Sequence, residues 1–175
     1  MERYEERSLK SGNLLSRARS VDLIVIAAFV FAAGFIGSRS TLPNIATWYE
    51  GLEKPFFNPP NWLFGPVWTL LYLTMIWACW RVIGKVRGTS LFFPVIGVFG
   101  VQLFFNALWP VVFFGMHQPG FAVPVVLALD LSVYATVGLF YKIDRNAGLS
   151  QLPYAAWVSF ASLLNIAVFA LNLPR

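Results

Sequence analysis

Residues 89–129 read TSLFFPVIGVFGVQLFFNALWPVVFFGMHQPGFAVPVVLAL, a run without a single Asp, Glu, Lys or Arg. As one helix it would extend about 60 Å, roughly twice the hydrocarbon thickness of a bilayer. Gly115-Met116-His117-Gln118-Pro119-Gly120 divides it with two glycines and a proline, the residues that end helices. The run therefore reads as two spans, over about 91–114 and 120–142, joined by a turn. Three further apolar stretches flank the pair. One covers about 21–38, with Asp22 and Arg39 at its ends; one covers 63–81; the last covers 152–173 and stops at Pro174. The reading is an all-α membrane protein with five spans in one domain, 21–175. A polar tail over 1–20 precedes it and is expected to be mobile.

Composition supports this solvent assignment. Charged residues make up 12% of the chain and the mean hydropathy is +0.65, whereas soluble domains carry about 25% charged residues. The tail is mostly polar and no small-residue cleavage site follows the first apolar run, so that run is expected to stay in the membrane. The net charge of +5 does not indicate nucleic-acid binding, because the cations sit at span ends rather than on one basic face. They serve as orientation signals. Arg3, Arg7, Lys10, Arg17, Arg19, Arg81, Lys85, Arg87, Lys142 and Arg145 fall on one side; Arg39, Lys54 and Arg175 fall on the other. The positive-inside rule then puts the N-terminus in the cytoplasm and the C-terminus outside. Cys79 is the only cysteine, which rules out an intrachain disulfide and a cysteine metal cluster.

The connection over 39–62 is the longest. It carries Pro43, Pro55, Pro59 and Pro60 with Trp48, Tyr49, Phe56, Phe57 and Trp62. Disordered segments are poor in aromatics, so an ordered lid is expected; an aromatic belt at headgroup level is the alternative.

Polar residues inside spans tend to face the bundle interior. Gln102, Asn106, Trp109 and Phe113 share one helical face of the third span. Trp157, Ala161, Asn165 and Val168 share one face of the fifth, and Phe64, Trp68 and Tyr72 share one face of the second. Together they resemble the lining of a ligand pocket, mostly apolar with a few polar groups. The same amides also suit helix-to-helix hydrogen bonding. Pro110 is expected to kink the third span. Asp130 falls near the middle of the fourth span, where a carboxylate costs on the order of 3 kcal/mol. It reads either as a cavity group or as an acid bonded to a neighbouring helix or second subunit. His117 has no second His or Cys near it, so a metal site there is not expected. No nucleophile–base–acid set, phosphate loop or carboxylate pair is visible.

Trp48-Tyr49, Leu52-Glu53-Lys54-Pro55, Pro59-Pro60 and Gly65-Pro66-Val67-Trp68-Thr69-Leu70-Leu71-Tyr72 resemble the first-loop and second-helix signature of the translocator protein family, the tryptophan-rich sensory proteins (TspO/MBR, peripheral benzodiazepine receptor). Gln102-Leu103-Phe104-Phe105-Asn106 with Trp109 resembles that family's third helix. Leu152-Pro153-Tyr154-Ala155-Ala156-Trp157 with Leu164-Asn165 resembles its fifth. The resemblance implies a five-helix bundle, often a homodimer, whose pocket opens toward the first loop and binds porphyrins such as protoporphyrin IX, with no obligatory cofactor. It also implies isoquinoline carboxamide and benzodiazepine ligands. It links bacterial members to tetrapyrrole sensing, regulation or transport under stress, and points to a bacterial cell membrane. Light-dependent porphyrin breakdown is a further implication, with Trp68 and Trp157 taking part; transport of a sterol or other lipophile is another. Carried onto this chain, Trp68, Trp157, Phe64, Tyr72, Phe113 and Leu164 would touch the macrocycle. Gln102, Asn106 and Asn165 would orient its polar groups with Trp109 beside them, and Ala161 would leave it room. Trp48, Pro59 and Trp62 would belong to the cap. The family's sterol motif needs a Tyr where Phe169 stands, so cholesterol binding is not carried over.

Overall fold

The computed structural model describes residues 2–173, with side chains from Ala18 onward. Among them are six helices: α1 (Glu2–Asn44), α2 (Asn61–Val86), α3 (Phe92–Pro110), α4 (Pro119–Ile143), the short α5 (Arg145–Ser150) and α6 (Leu152–Leu171). Five stretches are long and apolar enough to cross a membrane: Ala18–Tyr49, Asn61–Val86, Phe92–Gly115, Pro119–Ile143 and Arg145–Leu171. The five expected spans are therefore present, and no strand occurs among the described residues.

Each span buries one face at alternating steps of four and three residues, the period that keeps a helix seam inward. In α4 the seam is Ala122, Val126, Leu129, Val133, Thr136 and Phe140; in α6 it is Tyr154, Val158, Ala161, Asn165 and Val168. The outward faces present large apolar side chains such as Phe35, Phe93, Phe104, Leu131 and Leu163. In water such a surface would aggregate; in hydrocarbon it is the natural coat. The chain is an integral, multi-pass membrane protein.

Around the bundle, α2 packs on α1, α1 on α3, α3 on α4 and α4 on α6. The circuit is closed between α2 and α6 by aromatic rings: Trp68 meets Tyr154 at 6.3 Å and Phe64 meets Trp157 at 6.0 Å.

Two boundaries differ from the sequence reading. The first span does not stop at Ser38. The helix continues through Pro43 to Asn44 and ends in a wide π-turn, Ile45–Tyr49, so Glu50 N–H donates to Ile45 O at 3.1 Å. The polar residues Ser40, Asn44 and Thr47 do not break it, because each side chain bonds a carbonyl four residues back. The irregular connection shrinks to 50–60. Toward the other terminus, the tail's backbone joins α1, while the side chains before Ala18 lie outside the described residues. Just after Pro110, where a kink is expected, lies a second π-turn, Val111–Gly115, closed by Met116 N–H on Val111 O at 2.8 Å.

The connection 50–60 is ordered by specific bonds. Tyr49 hydroxyl donates to Asn58 Oδ1 at 2.6 Å, and Lys54 Nζ donates to the carbonyls of Glu50 and Leu52. Asn172, just past α6, exchanges two bonds with the Glu53 backbone, accepting at 3.0 Å and donating at 2.9 Å. That ties the loop to the far end of the chain.

At the opposite end, Asp144 is the fastening. Its carboxylate caps α5 through the Asn146 and Ala147 N–H groups. It also pairs with Arg81 at 2.8 Å and Lys85 at 2.9 Å, joining the end of α2 to the α4–α5 corner. Lys85, the Ala147 N–H and Arg81 together hold the Asp144 carboxyl well below the ordinary carboxylate range, against the opposing effect of burial. Beside it Gly148 packs on Tyr141, where an added Cβ would meet backbone at 2.5 Å. A folded-state value below the unfolded one means stabilisation that is complete above about pH 4 and is lost as pH falls toward the folded value. Both cations reach solvent, so the expected cost of Asp144→Ala is about 1–2 kcal/mol, cap included. Asp144→Asn, which keeps the cap, should cost less. Thermal unfolding in detergent at neutral pH should rank wild type above Asn above Ala, and the differences should shrink in strong acid.

Candidate functional site

A cavity of about 450 Å³ lies toward the loop end of the bundle. Its walls come from α1 (Gly34, Gly37, Ser38, Thr41, Leu42), from α2 (Trp62, Phe64, Gly65, Trp68, Thr69, Tyr72) and from α3 (Asn106, Trp109, Pro110), with Ile45, Tyr49 and Phe114 of the two π-turns over the end. Glycines let α1 pack closely at the cavity wall. Gly34 lies so close to the Tyr72 ring that a Cβ would come within 2.6 Å of it, and Gly37 abuts Pro110. Trp68 and Tyr72, with centroids 5.7 Å apart, form a continuous aromatic wall.

The polar floor is a relay of side chains. Tyr72 hydroxyl donates to Asn106 Oδ1 at 3.2 Å, and Asn106 Nδ2 donates to the Tyr154 hydroxyl oxygen at 3.0 Å. Asn106 is thus held from two sides while its edge borders the cavity. A second, smaller void of about 20 Å³ lies behind, lined by Ala161, Leu164, Asn165 and Phe113. Tyr49, Phe64, Trp109 and Phe114 border both spaces and form the partition between them. The smaller space holds one water at most.

Of the residues expected at the site, Trp62, Phe64, Trp68, Tyr72, Asn106 and Trp109 line the large cavity. Phe113, Ala161, Leu164 and Asn165 line the small void. Trp48, Pro59, Gln102 and Trp157 line neither. Gln102 is fully buried and turns its amide nitrogen to Met75 Sδ at 3.2 Å, away from the cavity. Trp157 fills the gap between α2 and α6, its indole N–H buried without a partner among the described residues. Asn165 is committed on both sides, accepting from Trp109 Nε1 at 2.9 Å and donating to Pro119 O at 2.8 Å. Its role is to join α3, α6 and the start of α4. Trp48 packs edge-on against Phe113 and stacks on His117 at 4.6 Å. Asn44 Nδ2 is donated to Ser40 O, so Asn44 Oδ1 accepts from His117 Nε2 at 2.9 Å. Those contacts clamp the end of α1 onto the α3–α4 turn, where His117 adopts a φ of 57°.

The wall formed by α1 was missed in the sequence. Gly34, Gly37, Ser38 and Thr41 fall three, one and three residues apart, a small-residue face that carried the signal.

The TspO/MBR family model matches residues 25–171. The chain is 41% identical to the tryptophan-rich protein TspO of Archaeoglobus fulgidus, covering 86% of this chain and 96% of the relative. It is 36% identical to protein CrtK of Rhodobacter capsulatus, over 87% and 95% respectively. To the translocator protein of Homo sapiens it is 35% identical, over 79% and 82%.

Asn165→Ala would orphan the buried Trp109 N–H, at about 1–3 kcal/mol. Unfolding in detergent should show that loss, whereas Asn172→Ala, at the exposed loop tie, should cost less.

Proposed function

The chain belongs to the TspO/MBR family, and from that footing we propose that it is a membrane-embedded binding protein for porphyrins of the protoporphyrin IX type, acting in tetrapyrrole sensing, regulation or transport. The observation that carries the reading is the large cavity itself: an aromatic wall, a hydrogen-bonded polar floor and a volume of about 450 Å³, within the range of small-molecule sites. A flat macrocycle stacks on Trp68 and Tyr72, each such pair contributing about 0.5–1.5 kcal/mol beyond area burial. Its ring-edge polar groups face Asn106. Its propionates point to the loop end, where Lys54 sits 5.1 Å over the Tyr49 ring. Relatives named tryptophan-rich protein and translocator protein agree with a binding or transport role.

The proposed orientation places the N-terminus in the cytoplasm and the loop outside. Arg19, Arg81 and Arg87 gather at the end opposite the loop: Arg19 lies over Trp80, Arg87 pairs with Asp22 and Arg81 pairs with Asp144. That cationic end suits the cytoplasmic face.

Titration of the purified protein with protoporphyrin IX should quench tryptophan fluorescence saturably. Trp68→Ala should weaken binding about tenfold or more, equivalent to about 1.4 kcal/mol. Trp157→Ala, behind the cavity wall, should have a smaller effect. Unchanged affinity in Trp68→Ala would overturn the assignment.

A further inference from the structure

Near the middle of α4, outside the cavity, Asp130 lies half-buried in the groove between α4 and α6. Ser159 Oγ of α6 donates to Asp130 Oδ1 at 2.9 Å, and Tyr134, one turn along α4, lies 3.0 Å from the same Ser159 oxygen. Ser159 has one proton and directs it to Asp130, so the Tyr134 hydroxyl is the donor to Ser159. Both hydroxyl protons of the triad therefore run toward the carboxyl group. What is left for an occupant is the second Asp130 oxygen, which has no partner among the described residues. The surroundings are apolar and outward-facing: Leu127, Leu131 and the Tyr134 ring on α4, and Leu163 one turn from Ser159 on α6, are exposed on the bundle's lipid coat.

A polar oxygen at this depth meets no water, and leaving it unpaired is costly. Its complement is a hydrogen-bond donor attached to an alkyl body. Among donors an amine fits best, since charge-assisted pairs are about twice as strong as neutral ones. An amine also crosses hydrocarbon in its uncharged form and pairs with a carboxyl wherever the shared proton sits. We propose that the Asp130–Ser159–Tyr134 groove is a second ligand site, separate from the large cavity, that takes lipophilic amines from the bilayer. The amine nitrogen bonds the free Asp130 oxygen and the alkyl chain lies along Leu127, Leu131 and Leu163.

The test is equilibrium binding of radiolabelled hexadecylamine to the full chain in nanodiscs, with hexadecanol as the neutral competitor. The wild-type protein should bind the amine saturably and hexadecanol at least tenfold more weakly. Asp130→Asn should weaken amine binding at least tenfold, and Ser159→Ala a few-fold, with protoporphyrin IX titration unchanged in both. Equal affinity for amine and alcohol in the wild-type protein overturns the proposal without reference to any variant. So does amine binding that survives Asp130→Asn, or a change of oligomeric state in that variant in place of lost binding, which would make the groove a contact between two copies.

Discussion

Asn106 sits where three spans meet, and its amide is the joint. It receives a proton from Tyr72 of α2 and gives one to Tyr154 of α6, while its own backbone belongs to α3. In hydrocarbon no water replaces a missing partner, so a buried amide must be satisfied by its neighbours. That requirement fixes the rotation of three helices at one level. The faces presented on either side of this level follow: the packed seam of Met75, Phe99 and Val158 on one side, the cavity on the other.

The helices around the cavity are fastened at their two ends as well as at Asn106. At the cationic end, Arg19 and Trp80 join α1 to α2 and Asp144 joins α2 to the α4–α5 corner. At the loop end, the two π-turns lock together through Trp48, Tyr49, Phe113 and Phe114, and Asn172 holds the loop backbone. Between these fastenings Gly34 lets α1 pack directly on the Tyr72 ring and Gly37 lets it pack on Pro110, and the cavity lies beside those contacts. A π-turn inserts one residue into a helical ladder and shifts the faces beyond it, a device often found at functional sites.

Much of this was legible in the sequence. An uncharged run too long for one span, broken by Gly115 and Pro119, gave two helices; the four-and-three spacing of polar and aromatic residues gave the inward faces of the third and fifth spans. Asn106, Trp68 and Tyr72 were legible as site residues because an amide and two aromatics on interior faces stand out against leucine and valine. The share of the site owed to α1 was not read, because Gly34 and Gly37 act by the close approach they permit to Tyr72 and Pro110. Asn165 and Gln102 look like Asn106 in sequence; only packing separates a side chain spent on its neighbours from one that still borders open space. The length of the first span was also hidden. Ser40, Asn44 and Thr47 look like loop residues until their bonds back to the helix's own carbonyls are seen.

The proposed ligand position lies between α1, α2 and α3, above the Asn106 joint. A structure of the protein with protoporphyrin IX bound tests it most directly. The macrocycle should lie against Trp68 and Tyr72, beside the Gly34–Tyr72 contact, with the partition of Phe64 and Trp109 intact. A macrocycle seated instead between α3 and α6, against Ala161 and Leu164 in an enlarged version of the small void, would contradict it.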